Sequence, residues 1–276
     1  MPDLARCAIH TMTTKPWSLA EACERYAAAG VGGISIWRNA VDPAEGGPGV
    51  AEAVKIAAGS GLALPAYVRG GFFPAFERAD RQNVIDENRT ILDEAAALGA
   101  EQVVLVVGAV PGLALVEARK QVREGIEALL PHARSLGVRL SIEPLHPMYA
   151  GDKSCINRMA EAREIWQAVH DDMLGVAVDV YHVWWDPDLD EEIRFAGEAS
   201  KIFGFHVCDW RIPTRDLLLD RAIMGEGCID IPAIRSRVEA AGFRGFHEVE
   251  IFSSELWQQD QHDVLNRVIE AYRHAV

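Results

Sequence analysis

One unit recurs along this chain and constrains the fold more than any other feature: an amphipathic helix, then glycine, then a short apolar run. It appears as EACERYAAAG-VGGISIW, DEAAALGA-EQVVLVV, PHARSLGV-RLSIEP and VEAAGF-RGFHEVEIF. Glycine after the last helical turn accepts the left-handed conformation that ends many helices. An uninterrupted apolar run is typical of a strand buried on both faces. The repeat therefore predicts parallel strands that alternate with helices.

Eight apolar runs have the length and spacing of strands. They lie near 5–10, 32–37, 62–68, 102–107, 138–143, 174–179, 202–207 and 245–251. With roughly 30–40 residues per unit, they predict one α/β domain over residues 1–276 with the (β/α)8 TIM barrel fold. An open doubly wound sheet is the rival arrangement, but no GxGxxG turn follows the first run.

The formal net charge of −14 narrows the class of partner. Acidic surfaces repel phosphate backbones and anionic lipid headgroups, so we expect neither nucleic acid nor a membrane as a partner. No apolar run approaches the roughly 20 residues of a membrane span, and MPDLARCAIHTMTT lacks the pattern of a secretion signal. The five cysteines are scattered and lack CxxC spacing, as in reduced cytosolic proteins. We therefore expect a cytoplasmic protein that acts on small molecules.

Ionisable side chains stand at or near the ends of four successive predicted strands, where the functional residues of such barrels lie. The fifth strand ends at Glu143, the sixth at Asp179, and the seventh and eighth carry His206 and Glu250 near their ends. Three carboxylates in one mouth repel each other, and a divalent cation compensates for that repulsion. Oxygen ligands with one imidazole favour Mn2+, with Mg2+ or Co2+ as alternatives, over a thiolate-type zinc site. We therefore predict one metal ion bound by these four residues.

The eighth strand offers two carboxylates, and only one is chosen as a ligand. Glu248 and Glu250 are two residues apart and so share a face of the strand. Glu250 lies nearer the C-terminal end and is the predicted ligand. Glu248 is then expected behind the ligands or in a polar layer inside the barrel, and His247 points outward to the helices.

Five segments make a resemblance to a known family specific, namely IEPLHP, VDVYHVWWD, FHVCDWR, RAIMGEGCIDIPAIR and HEVEIF. Together they resemble the sugar phosphate isomerase/epimerase family of xylose isomerase-like barrels. That superfamily includes ketose 3-epimerases, hydroxypyruvate isomerase, inosose dehydratase and, more distantly, endonuclease IV. The resemblance covers essentially the whole chain. It implies that Glu143 and Glu250 are both metal ligands and proton-transfer groups, whereas Asp179 and His206 are ligands only.

The implied chemistry is metal-assisted proton abstraction beside a carbonyl. A bound cation acidifies the neighbouring C–H and stabilises the enediolate that forms, and a carboxylate takes the proton. We therefore expect a divalent-metal-dependent isomerase or epimerase of a keto-sugar or related polyol. The alternative is a lyase on the same scaffold, an inosose-type dehydratase or an enzyme of β-elimination from a 3-keto-glycoside, with His182 or Asp209 as the acid at the leaving group.

The resemblance also implies which residues contact the substrate. A histidine at the position of His182 contacts substrate oxygens in related enzymes, although a loop histidine can equally bond the backbone. Arg211, in HVCDWR, resembles the substrate-orienting arginine of the family, with a surface ion pair as the alternative. Asp209 is expected behind the ligands, where it orients His206, acts as an acid or caps a loop.

The first three strand ends supply further candidates for contact with the substrate. His10 ends the first strand, Trp37 ends the second and Arg69 follows the third. Trp37 can form an apolar wall against a sugar ring together with Phe72 and Phe73. Aromatic residues at a barrel mouth also serve as packing, so both interpretations stay open here.

Other functional classes fit the sequence less well. A nucleic-acid repair enzyme needs further histidine ligands and a basic face, which the acidic balance argues against. A non-catalytic sugar-binding barrel does not require four intact candidate ligands. No glycine-rich nest is placed to bind a phosphate, so the resemblance does not require a phosphorylated substrate. Barrels of this family often pair, and we expect a homodimer or homotetramer.

Overall fold

The computed structural model describes residues 2–276. Within this span, parallel strands close into a barrel in the order β1-β10-β7-β6-β5-β4-β3-β2. The barrel strands are β1 (Cys7–His10), β2 (Gly33–Trp37), β3 (Ala66–Gly71), β4 (Gln102–Val106), β5 (Arg139–Ile142), β6 (Leu174–Asp179), β7 (Ile202–Val207) and β10 (His247–Val249). A short antiparallel pair, β8 (Asp209–Trp210) and β9 (Arg221–Ala222), lies outside the barrel. The (β/α)8 TIM barrel prediction is confirmed.

Helices follow the strands and pack around them. They are α1 (Leu19–Ala28), α2 (Val50–Ser60), α3 (Arg78–Leu98), α4 (Leu115–Leu136), α5 (Met159–Val169), α6 (Val180–Val183), α7 (Leu189–Glu198), α8 (Ile231–Ala240) and α9 (Gln261–Ala275). Ser18 caps α1 by accepting a hydrogen bond from the Glu21 backbone, as a Ser-x-x-Glu pattern predicts. Gly99 and Gly137 end α3 and α4 with positive φ angles of 81° and 71°. No helix in residues 2–276 combines the length and apolar character needed to cross a bilayer.

The third strand begins four residues later than the sequence predicts. The expected range was 62–68, whereas β3 runs from Ala66 to Gly71. Pro65 has no N–H to donate to a neighbouring strand, so regular pairing starts after it. The register with β4 shifts between Val68 and Gly70, which leaves Arg69 at an irregular position at the mouth.

Strand register sets the layers of side chains inside the barrel. Asp179 pairs with His206 across β6 and β7, and His206 pairs with Glu248 across β7 and β10. Paired residues on parallel strands point to the same face, so these side chains form one ring inside the barrel. Glu250 lies past the end of β10, where its N–H still bonds the Val207 carbonyl at 3.1 Å. The structure therefore stacks Glu250 above the layer that contains Glu248.

Candidate metal centre

Four ionisable side chains from successive strand ends converge on one point of the barrel mouth: Glu143, Asp179, His206 and Glu250. Each offers a ligand atom, and these atoms all lie within 4.8 Å of one another. His206 Nδ1 is 2.9 Å from Glu143 Oε1 and 3.9 Å from Glu250 Oε2. All four residues are buried. The strand ends thus bring together the four residues for which the sequence predicts a metal site.

Several polar atoms of this cluster have no hydrogen-bond partner. Glu143 Oε1 and both ring nitrogens of His206 are buried and make no hydrogen bond. A buried polar group left in this way costs about 1–3 kcal/mol. Coordination to a divalent cation would satisfy Glu143 Oε1 and one nitrogen of His206. The donor set of three carboxylates and an imidazole therefore fits such an ion.

The pKa values within the cluster also indicate that a bound positive charge would be favourable there. Burial raises the pKa of the Asp179 carboxyl to about 7, with Arg221 opposing that change. Burial by itself lowers the pKa of the His206 ring, but the surrounding carboxylates, Glu248 foremost, outweigh it and raise the pKa to about 10. Unshielded negative charges in a dry site repel each other and favour protonation, and a bound divalent cation would relieve the same repulsion.

Arg221 is the functional candidate that sequence reasoning missed. It is buried, and its Nη1 donates to Asp179 Oδ2 at 3.2 Å and to Glu250 Oε2 at 3.0 Å. Its guanidinium also lies 4.4 Å from the Tyr181 ring and 4.9 Å from the Phe252 ring. The RAIMGEGCIDIPAIR segment contained this arginine, but no predicted barrel strand placed it at the mouth.

Asp209 holds the loop that carries Arg221. Its carboxylate accepts hydrogen bonds from the backbone N–H groups of Gly225, Gly227 and Ile229, at 2.9, 3.0 and 3.0 Å. A Cβ on Gly227 would lie 2.3 Å from the Trp210 carbonyl oxygen, so the turn requires glycine there. Among the three roles open for Asp209, the contacts are those of a loop cap.

Glu248 lies next to His206, in the same ring of side chains and one layer below Glu250. Its Oε2 accepts from Ser35 Oγ at 2.6 Å and is 3.4 Å from His10 Nε2. Its Oε1 is 3.8 Å from His206 Nε2. The His206 ring thus has Glu143 on one side and Glu248 on the other. Carboxylates placed behind a ligating histidine orient the ring, in line with the expected position of Glu248.

His10 and Trp37 contact Glu250 directly. His10 Nδ1 is 3.0 Å from Glu250 Oε1, and the Trp37 indole N–H donates to the same oxygen at 3.0 Å. Arg221 contacts the other oxygen. Both carboxylate oxygens of Glu250 are therefore bound by neighbouring side chains, whereas Glu143 Oε1 makes no hydrogen bond. The structure places His10 in the interior, fully buried, rather than on the open surface of the mouth.

The remaining predicted substrate contacts lie at three different places. His182 accepts from the His146 backbone through Nδ1 at 3.2 Å, and its Nε2 is 3.1 Å from Arg221 Nη2. Arg211 forms an ion pair with Asp220 at 2.9 Å and contacts none of the four residues of the cluster. Arg69 lies over the Trp37 ring at the edge of the mouth. His182 is thus brought to the centre, whereas Arg211 is not.

The segment 211–220 lies across the mouth. The hydroxyls of Tyr149 and Tyr181 both donate to the Leu217 carbonyl, at 2.7 and 3.0 Å. Leu218 packs against the apolar cluster of Val106, Leu145 and Tyr149. The segment is thus held against residues that lie at or after the ends of β4, β5 and β6.

Comparison with known proteins places this barrel among characterised relatives. The family model for the xylose isomerase-like TIM barrel matches residues 23–272. An inosose isomerase of Halalkalibacterium halodurans is 28% identical over 205 residues, covering 71% of this chain and 68% of that protein. A crystal structure of a Sinorhizobium meliloti 1021 protein is 45% identical, with a TM-score of 0.94 and 99% of both chains covered. The zinc-bound structure of the IolI protein shares the fold at 21% identity, with a TM-score of 0.85 and 98% of both chains covered.

Proposed function

The chain belongs to the xylose isomerase-like TIM barrel family, and from this membership we propose that it is a metal-dependent isomerase or epimerase of a keto-sugar or related polyol. One observation carries the proposal: the four strand-end residues converge within 4.8 Å, and Glu143 and His206 have buried polar atoms that make no hydrogen bond in residues 2–276. The similarity to an inosose isomerase supports a polyol-type substrate.

Glu143, Asp179, His206 and Glu250 are the proposed metal ligands. The oxygen-rich set favours Mn2+, with Mg2+ and Co2+ as alternatives, and the zinc in the IolI structure supports the ability of this scaffold to bind a divalent ion. When bound, the cation supplies Lewis acidity that polarises a substrate carbonyl and offsets the negative charge of an enediolate. Glu248 would keep the His206 ring in position from behind.

Glu143 and Glu250 are the proposed proton carriers, and their surroundings differ. Glu143 Oε1 makes no hydrogen bond in residues 2–276, and its nearest polar neighbour is His206 Nδ1 at 2.9 Å. Glu250 is surrounded by cations and donors, which outweigh burial and hold its pKa well below the usual range. A carboxylate stabilised in this way holds its negative charge more firmly. We infer that Glu143 and Glu250 exchange protons on opposite sides of the substrate.

His182 and Arg221 are proposed to contact substrate oxygens. Burial, and then the charge of Arg221, hold the pKa of His182 well below its usual range, so the ring is neutral near pH 7. The guanidinium of Arg221 is always charged and is fixed by Asp179 and Glu250. Together they offer a neutral and a cationic group beside the proposed ligands, which suits orientation of hydroxyl and carbonyl oxygens.

The hydrogen bonds that Asp209 accepts argue against this residue as the acid of the lyase alternative. A lyase needs an acid over the leaving group, and the carboxylate of Asp209 is taken up by three backbone N–H groups. His182, the other candidate acid, has a pKa held well below its usual range by burial and Arg221, so its neutral ring is poorly suited to protonate a leaving group near pH 7. Product mass separates the two reactions, because an isomer keeps the mass of the substrate and a dehydrated product loses one water.

The test is solvent exchange in the metal-loaded protein. In D2O with Mn2+, keto-sugars and inososes are followed by NMR, and deuterium is expected to enter the C–H beside the carbonyl. Glu143→Gln should abolish this exchange while the other three ligands still bind Mn2+. Full turnover by Glu143→Gln, or the absence of any exchange with an active wild-type sample, would reject the proposed mechanism.

A further inference from the structure

A cavity of about 380 Å3 opens beside the cluster, on the β2–β3 side of the mouth. Trp37 separates it from Glu250: the indole N–H bonds Glu250, whereas the rest of the side chain lines the cavity. Cavities of a few hundred Å3 accommodate small-molecule groups. A substrate held at the cluster therefore has room to extend past Trp37 into this second space.

Arg69 lines this cavity with its hydrogen-bonding groups unused. Its guanidinium carbon lies 4.7 Å from the Phe72 ring centroid and 5.9 Å from that of Trp37. The guanidinium forms no ion pair and no hydrogen bond with any residue in the described span 2–276, and Arg69 is exposed. Aromatic contacts of this kind hold a guanidinium in place and leave its edge, with the N–H donors, free.

The backbone beside Arg69 is held in an uncommon conformation. Phe72 has φ of 58°, in the left-handed region that non-glycine residues seldom adopt. The preceding turn is held by Asn88, which donates to the Gly71 carbonyl at 2.9 Å and accepts from the Gly71 N–H at 2.7 Å. Such a conformation costs on the order of 1–3 kcal/mol and persists where surrounding contacts enforce it. The contacts thus position the Phe72 ring beneath Arg69.

Three carboxylates also line the cavity, those of Asp42, Glu45 and Glu87. Glu87 pairs with Arg38 at 3.0 Å, and the Asp42 carboxylate accepts from the Ala44 N–H at 2.9 Å.

Lys15 lies 4.8 Å over the Trp257 ring and has no carboxylate partner in the described residues. Arg69 and Lys15 are therefore the two lining cations whose side chains form no ion pair in the described span 2–276. Cations and carboxylates line the cavity in equal number, so the free donors of these two side chains, rather than a net charge, distinguish it.

We propose that this cavity binds an oxyanion of the substrate, a carboxylate or a phosphate, and that Arg69 is the residue that recognises it. The inference rests on the proposed function, because it names the class of carbonyl compound that the cluster would act on. A guanidinium edge matches two oxygens of a carboxylate or phosphate at once. The substrate is thus a carbonyl compound with an acidic group at the end remote from the reacting carbon, and Lys15 adds to the attraction.

The test compares three six-carbon probes by isothermal titration calorimetry: D-fructose, 5-keto-D-gluconate and D-fructose 6-phosphate. Each is titrated into the full chain with Mn2+ and again with EDTA. At least one acidic probe should bind 10-fold or more tightly than D-fructose. Arg69→Gln should remove that advantage, about 10- to 100-fold, without weakening D-fructose. Arg69→Lys, which keeps the charge but loses the paired donors, should lose less.

The control is Arg78→Gln, which removes the same charge from an exposed position at the start of α3 and should leave all three affinities unchanged. A preference for 5-keto-D-gluconate identifies a sugar acid, and a preference for D-fructose 6-phosphate a phosphorylated sugar. Equal binding of charged and neutral probes, no binding of either acid to folded protein, or an advantage that survives Arg69→Gln overturns the proposal.

The EDTA arm separates this inference from the proposed function. Arg69 touches none of the four candidate ligands, so the ratio of acidic to neutral affinity should persist without metal even if all probes bind more weakly. If an acidic probe binds more tightly through Arg69 but no deuterium exchange occurs, the assignment of the cavity stands and the proposed isomerase is rejected. If deuterium exchange occurs but no acidic probe binds more tightly, the proposed isomerase stands and the assignment of the cavity is rejected.

Discussion

Arg221, in β9, donates a hydrogen bond from Nη1 to Glu250 Oε2, just after β10, at 3.0 Å, and both residues are buried. The same nitrogen reaches Asp179 at 3.2 Å. A single cation thus joins two of the four candidate ligands. Removal of this guanidinium would leave the charges of its buried partners uncompensated.

Replacement of Arg221 by methionine should destabilise the metal-free protein by about 3–5 kcal/mol. The free energy of unfolding in urea, with EDTA, measures this loss, and Mn2+ should recover part of it. Arg211→Met is the matched control, since its partner Asp220 keeps a second cation, Arg215, when Arg211 is removed, and it should cost less than about 1 kcal/mol. Equal losses in the two variants would contradict the central position of Arg221.

Metal removal should lower the thermal stability of the wild-type chain. A ligand that binds only the folded state adds roughly 2.7 kcal/mol at a concentration 100 times its Kd, so Mn2+ should raise Tm by several degrees over EDTA in calorimetry. Asp179→Asn should lose most of this rise because a ligand is removed. Glu226→Gln changes an exposed carboxylate that pairs with Arg267 and should keep it. A Tm that does not respond to Mn2+, Mg2+, Co2+ or Zn2+ would argue against the site.

The stability of the metal-free protein should fall as pH rises from about 4 to about 7. The pKa of Asp179 is raised from 3.8 to about 7 in the folded state. Its contribution is therefore full below 3.8 and is lost as the pH passes through 7, because the folded state holds a proton that the unfolded state releases. Urea midpoints at pH 5 and pH 8, in EDTA, measure the slope.

Asp179→Asn is the control for that slope, since its amide does not titrate and the variant should show a smaller fall between pH 5 and pH 8. Mn2+ should oppose the fall in the wild type, because a ligand carboxylate must be deprotonated. The raised pKa of His206, about 10, acts in the same direction at higher pH. A wild-type slope equal to that of Asp179→Asn would contradict this assignment.

Asp209→Ala should reduce turnover without removing the metal. Three backbone N–H groups lose a charged acceptor, so the loop that carries Arg221 is expected to loosen and kcat to fall by about 10- to 100-fold. The affinity for Mn2+, measured by calorimetry, should stay within a few-fold of wild type. Asp230→Ala removes the N-cap of α8 in the same segment. It should cost about 1 kcal/mol of stability and leave kcat unchanged.

Local patterns were enough to predict the architecture. The recurring helix, glycine and apolar run predicted the strands, and β1, β2 and β4 to β7 lie within the expected ranges. The spacing of buried side chains differs between helices and strands, so it identifies each element from the sequence. The barrel then places the C-terminal end of every strand at the same mouth. That is why Glu143, Asp179, His206 and Glu250, which are up to 107 positions apart in the chain, could be grouped from the sequence.

Only the tertiary structure decided which loop residues reach that mouth. Arg211 follows His206 closely in sequence, yet it pairs with Asp220, whereas Arg221 reaches Glu250. The choice depends on Asp209, which binds N–H groups 16 to 20 residues further along. Loop conformation rests on such long-range hydrogen bonds and ion pairs, which have no period in the sequence. Strand ends follow local hydrophobic pattern, and so the candidate ligands were predictable while the arginine between them was not.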